Sequence, residues 1–222
     1  MSVAGPVYLI GSSHGATVRE VFARVNEAHG QRPLEVAVSF AALPDGDGVA
    51  RAKSFAKTTF PHARVEHFSV TGESDAMPSA TARSIVERAD VLFFGGGDPV
   101  LAMRRLVEAG ADTWVRAARE RGAACVGLSA GSIALGAYWA SWPDDDPDAE
   151  PNLVRGIAAV ADLVVDCHAE NDDWEELHAV RARLGPIAAG LTFAGIGHGS
   201  ALVVHGDGAL EWLGRSHVLT GV

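Results

Sequence analysis

Ser129 stands in Gly127-Leu128-Ser129-Ala130-Gly131, with a glycine two residues before it and another two residues after it. This spacing lets a strand fold back sharply into a helix and hold the hydroxyl clear of the backbone, because the flanking positions carry no side chain to collide. The chemistry served by such a turn is acyl transfer, the hydroxyl attacking a carbonyl carbon. An apolar run over 123–128 precedes the serine, and the small residues from Ala130 onward start a helix whose N-terminus faces developing negative charge. The pentapeptide alone reads equally well as a glycine-rich turn in which the serine only caps a helix.

A serine hydroxyl is a poor nucleophile at neutral pH, so acyl transfer needs a histidine base and an acid that orients it. Of the nine histidines, His168 is best placed, since Leu163-Val164-Val165-Asp166-Cys167 leaves it at the end of an apolar strand. Open α/β folds bind ligands at that edge of the sheet. His14 and His198, also near strand ends, compete with it. His29, His62 and His178 fall in helices or at their ends. For the acid, spacing leaves Asp144, Asp145, Asp146, Asp148 and Glu150 open in one loop. Asp166, two residues before His168, remains open as well, because alternate residues of a strand share a face. Gly95-Gly96-Gly97-Asp98 closes another apolar strand and can present a backbone N–H opposite that of Ala130; two such donors make an oxyanion hole. The acidic group Asp166, His168, Glu170, Asp172, Asp173 and His178 lacks a recognised metal-ligand spacing and reads as a solvated helix start.

These residues need a frame, and the chain alternates short apolar runs with longer amphipathic ones, the pattern of a mostly parallel sheet between helical layers. Strands are predicted over 7–12, 34–40, 63–70, 90–94, 123–128 and 162–168, with closing strands at 191–197, 200–206 and 209–214. Helices are predicted over 17–28, 49–59, 79–88, 99–108, 112–121 and 172–184, with one more beginning at Ala130. The Pro- and Asp-rich stretch 139–152 reads as a solvated loop inside one α/β domain spanning 1–222.

With 48% hydrophobic and 21% charged residues, the composition excludes a disordered or fibrous chain. A net charge of −10 without a basic cluster argues against nucleic-acid binding. Cys125 and Cys167 both lie in apolar runs, where a thiol packs as a small hydrophobe and a reducing compartment suits it. No apolar stretch is long enough to span a membrane and no charged leader precedes one, so the expectation is a cytoplasmic protein that does not bind membranes.

The segments Phe93-Phe94-Gly95-Gly96-Gly97-Asp98, Gly127 to Ser132 and Asp166-Cys167-His168-Ala169-Glu170-Asn171, in this order, resemble the serine peptidase family of aspartyl dipeptidase (dipeptidase E) and the cyanophycinases. The resemblance is strongest over 91–171 and weaker on to 214; the first ninety residues agree only in element pattern. It implies a three-layer α/β sandwich similar to class I glutamine amidotransferases, with serine in place of the nucleophilic cysteine. It further implies Ser129 as nucleophile, His168 as base with Asn171 three residues on, and Gly97 and Ala130 as oxyanion donors. The family acid lies fifteen residues past the serine, at Asp144 here, with Asp145 or Glu150 as alternatives in the same loop. Gly96, Asp98, Asn171 and His198 are the expected substrate contacts. Two departures bear on specificity: Gly197-His198-Gly199 stands where the dipeptidases carry Pro-Glu-Gly, and only Arg181 and Arg183 supply cations after His168. The implied function is hydrolysis of a small peptide or amide through an acyl-enzyme, without metal or organic cofactor, a homodimer being compatible with it. An esterase or amidase using the same triad, and an inactive ligand-binding relative, are the rivals.

Overall fold

Five short, mostly apolar runs become parallel strands in the computed structural model, which describes residues 3–28, 33–44, 48–143, 146 and 148–219. They are β1 (Val7–Ile10), β2 (Glu35–Ser39), β3 (Arg64–His67), β4 (Val91–Phe94) and β5 (Ala124–Leu128). With β10 (Ala201–Val204) and β11 (Leu210–Leu213) added antiparallel, they form a seven-stranded sheet in the order β11-β10-β1-β5-β4-β2-β3. Ile10 pairs with Leu128 and Phe94 with Gly127, so the C-terminal ends of β1, β4 and β5 lie side by side.

Successive strand residues point to opposite faces, and both faces are covered, which is why the strands read as continuous apolar runs. Tyr8, Ile10, Val36, Val38, Phe93 and Val126 pack against α1 (Ala16–Glu27) and α2 (Gly48–Thr59). Val7, Leu9, Leu92, Phe94 and Cys125 pack on the other side against α3 (Ser79–Arg88), α4 (Pro99–Glu108), α5 (Ala111–Glu120) and α6 (Ala130–Leu135). Both cysteines are free and buried. No helix among the described residues is long and apolar enough to cross a membrane.

The expected strands over 162–168 and 191–197 belong to a second sheet and not to the central one. There β8 (Leu163–Cys167) runs parallel to β9 (Thr192–Ile196), and β12 (Ser216–Leu219) runs antiparallel to β9. The stretch 139–152 is not all loop: β6 (Tyr138–Ser141) pairs with β7 (Asn152–Arg155), setting Trp139 opposite Val154 and Ala140 opposite Leu153. Aromatic and β-branched cross-strand pairs hold this hairpin, and the intervening prolines and aspartates hid it. The predicted helix over 172–184 begins later, as α7 (Glu175–Leu184). Asp173 and Trp174 take left-handed φ values of 56° and 62°, which turn Trp174 inward against Gly195 of β9. A small separate core of Ala140, Val164, Trp174, Leu177, Val180 and Phe193 joins α7 to these outer strands.

Candidate active site

The turn after β5 is built by contacts that leave no room for larger residues. The Ser129 N–H donates to the Ile10 carbonyl at 2.8 Å, extending the β1–β5 pairing by one step. The chain then reverses at φ 52° and ψ −119°, and the Ser129 carbonyl accepts from the N–H groups of Ser132 at 2.7 Å and Ile133 at 3.1 Å, which begins α6. Holding a serine at this φ costs about 1–3 kcal/mol and persists only where packing enforces it. A Cβ on Gly127 would lie 2.6 Å from the Ser132 backbone, and one on Gly131 would lie 2.1 Å from the Phe94 carbonyl oxygen. Buried Ser132 fastens the start of α6 to β1, its hydroxyl donating to the Ile10 carbonyl and accepting the Ile10 N–H.

Across from this turn, β8 delivers His168. Its N–H donates to the Ile196 carbonyl at 2.9 Å, so the residue is anchored to β9, while its φ of 50° swings the ring out of the strand's alternation. His168 Nε2 lies 2.8 Å from Ser129 Oγ. A hydroxyl that donates along this line requires the proton of the neutral ring on Nδ1. Among the described residues the His14 ring bonds only to neighbouring Ser13, and His198 sits beside His168, ring centroids 5.2 Å apart, without reaching the serine.

Gly97 and Ala130 both line the cavity in front of Ser129. No carbonyl among the described residues accepts from either N–H. Gly97 has a φ of 145° and its Cα presses on Ala42, where a Cβ would lie 2.2 Å from the Ala42 carbonyl oxygen. Gly96 backs onto the Ser129 side chain. Asp98 is committed otherwise: its Oδ1 accepts the Leu101 N–H at 3.0 Å and caps α4. Asn171 is exposed and does not line the cavity.

Of the candidate acids, Asp144 and Asp145 lie outside the described residues. Glu150 pairs with Arg183, and Asp146 accepts the Asp148 N–H. Asp166 does not pair with His168, because the turn at His168 separates two side chains that strand alternation would have put together. Its Oδ1 accepts from the Cys167 N–H at 2.8 Å and from Trp139 Nε1 at 3.4 Å. Burial pushes this carboxyl up to about 7, and the neighbouring Glu176 carboxylate pushes the same way. Burial likewise raises Glu176 and drives the Cys167 thiol well above its ordinary value. The acidic group is therefore not simply a solvated helix start: Asp166 is 2% exposed, and Glu176, an acid outside that group, lies half-buried beside it. Among the described residues no three His, Cys, Asp or Glu side chains gather as a metal site.

Two features carry no clear signal in the sequence. Trp139, Asp172 and Glu176 line the cavity together with Ser129 and His168, brought there by the hairpin and by the inward turn at Trp174. Glu170 grips the turn after β9, accepting the His198 N–H at 2.5 Å with its second oxygen 3.3 Å from His198 Nδ1. Burial alone would raise the Glu170 carboxyl, but these contacts outweigh it and hold the group below its usual range.

Known structures share this frame. A peptidase from an acI-B1 Actinobacterium superposes with a TM-score of 0.72 at 19% identity, covering 99% of this chain and 92% of its own. A candidate peptidase E protein from Listeria monocytogenes EGD-e gives 0.58 at 14% identity, covering 98% and 100%. At such identities the likeness speaks for the fold. No curated protein sequence matches the chain. The family evidence comes from the sequence model of peptidase family S51, which matches residues 53–212 and so takes in the β5 turn, His168, the β6–β7 hairpin and strands β8 and β9. On that match the chain belongs to peptidase family S51, and it is a serine-type peptidase.

Proposed function

We propose that Ser129 is the acyl nucleophile of this peptidase, His168 its general base and Asp144 the acid that orients the imidazole. The 2.8 Å approach of Ser129 Oγ to His168 Nε2, from a serine held at φ 52°, carries this reading. The Ser129 proton passes to Nε2 as Oγ bonds to the peptide carbonyl carbon, and the N–H groups of Gly97 and Ala130 donate to the oxyanion. The imidazolium then protonates the departing amine, and water repeats the sequence in reverse on the acyl-enzyme. Asp144 takes its role from the family spacing. A cavity of about 240 Å³ suits a single small acyl residue, so we assign a dipeptide or short peptide amide as substrate. Gly96, behind the Ser129 side chain, and His198, beside His168, are assigned as contacts near the scissile bond, and 1–222 as one hydrolytic domain.

A fluorophosphonate probe tests the nucleophile: wild type is expected to label at one site and the Ser129→Ala variant not at all. Absence of labelling in folded wild type overturns the reading. A panel of dipeptides run beside short-chain acyl esters tests the substrate class, and turnover of esters alone would replace the peptide assignment with an esterase.

A further inference from the structure

The cavity under Ser129 has two unlike walls. Ser129, Ala130, Gly97 and His168 form the reacting wall, while Asp166, Glu176 and Asp172 make the rest acidic. Asp166 is almost wholly buried, and among the described residues neither its Oδ2 nor the buried Oε2 of Glu176 has a donor beyond the proton that the two carboxyls can share. The two carboxyls act on each other, and the charges that act on them most strongly are further carboxylates, Glu176 on Asp166 and Asp172 on Glu176. Burying carboxyl oxygens without a donor or a cation is costly, and a protein that retains such a pair keeps acceptor capacity in reserve. The proposed acyl transfer does not use them, since His168 reaches Ser129 without Asp166. One oxygen of Asp172 already accepts the Trp174 N–H, which leaves Asp166 and Glu176 as the open acceptors.

We propose that this acidic wall recognises a positively charged nitrogen on the acyl side of the substrate, the free α-ammonium of the residue or the ammonium of its side chain, held between Asp166 and Glu176. The proposal rests on the assignment of this cavity to the acyl residue and adds its charge. An incoming ammonium replaces the proton that the pair shares, because donors on nitrogen then satisfy both buried carboxylates. Binding of the cation therefore releases a proton.

Calorimetry on the Ser129→Ala protein at pH 7 with three probes of matched size separates the sources. Nα-acetyl-L-lysinamide carries only the side-chain ammonium, L-norleucinamide only the α-ammonium, and Nα-acetyl-L-norleucinamide neither. At least one cationic probe is expected to bind about tenfold or more tighter than the uncharged one, the range of charge-assisted hydrogen bonds, and the tighter one identifies the source. Asp166→Asn and Glu176→Gln, made singly, should each remove most of that advantage. Titrations in two buffers of different ionisation enthalpy should show proton release with the parent protein and not with Asp166→Asn. Equal or undetectable binding of all three probes, or an advantage that survives both substitutions, overturns the proposal. Fluorophosphonate labelling of wild type keeps the two readings apart: labelling without charge preference removes only this inference, and charge preference without labelling removes only the nucleophile.

Discussion

The two halves of the site are made in different ways. On the central sheet, the β5 turn holds Ser129 through local sterics: Gly127 and Gly131 leave space that the backbones of Ser132 and Phe94 fill. On the outer sheet, His168 is held through distant contacts. These are a hydrogen bond to β9, a left-handed residue at the strand end, and a tryptophan ten-odd positions from the strand's start that packs against Gly195. A reactive group fixed by its own neighbours leaves its mark in five residues. One fixed by tertiary packing leaves it spread from Leu163 to Ile196.

Both halves must contribute to one reaction, and the largest expected effects test that. Ser129→Ala and His168→Ala should each lower kcat/KM by about 10⁴-fold or more, and the double variant should be no worse than either, since groups acting as a unit are not additive. A double variant that loses the product of the two effects would mean that serine and histidine act separately. Asp144→Asn should approach the single losses, whereas Glu150→Ala, which breaks an exposed pair with Arg183, should leave kcat/KM within about twofold. A collapse of activity in Glu150→Ala instead would move the acid to that position.

What was legible follows the same division. The parallel sheet, its two helical layers and the glycine-framed serine could be read from local patterns, because each depends on residues adjacent in the chain. His168 could be ranked first among the histidines because an apolar strand ends there. The second sheet was not legible, since nothing in Leu163–Cys167 or Thr192–Ile196 distinguishes a strand that pairs outside the central sheet from one that pairs within it. Asp166 reads as part of a solvated helix start because acidic residues before a helix are solvated as a rule, and Glu176 carries no signal of its own inside the predicted helix. Their burial follows from the left-handed pair Asp173–Trp174, which no propensity at those residues announces.

Substitutions that disturb packing should separate the halves by where stability is lost. Trp174→Ala removes a buried aromatic from the small outer core and is expected to cost about 3–5 kcal/mol. Hydrogen exchange should then rise in Leu163–Cys167 and Thr192–Ile196 well before Val7–Ile10. Gly131→Ala, by contrast, drives a methyl against the Phe94 carbonyl and is expected to cost about 1–3 kcal/mol, with exchange rising in β4 and β5. Uniform exchange in both variants would show that the outer sheet unfolds only with the central one, and the division drawn above would lose its energetic meaning.

The smallest effect concerns the acidic wall and has a definite sign. Asp166 is pushed up to about 7, first by burial and then by Glu176, from an ordinary 3.8. Among the described residues the groups around it are Glu176 on α7, Asp172 before that helix, Trp139 on β6 and Cys167 beside it, with His168 on the far side of the cavity turned toward Ser129. Between those two values the native state keeps a proton that the unfolded chain has released, so native stability falls as pH rises through this window. Above pH 7 the full cost of ionising a buried carboxyl is present. Asp166→Asn abolishes that ionisation, so its Tm should exceed that of wild type by several degrees at pH 8 and by little or nothing at pH 4. Ser129→Ala, altered on the other wall of the same cavity, should follow the wild-type profile. If Asp166→Asn ran parallel to wild type from pH 4 to 8, Asp166 would titrate as an exposed carboxylate does, and the outer half of the site would hold its charge no more tightly than the surface.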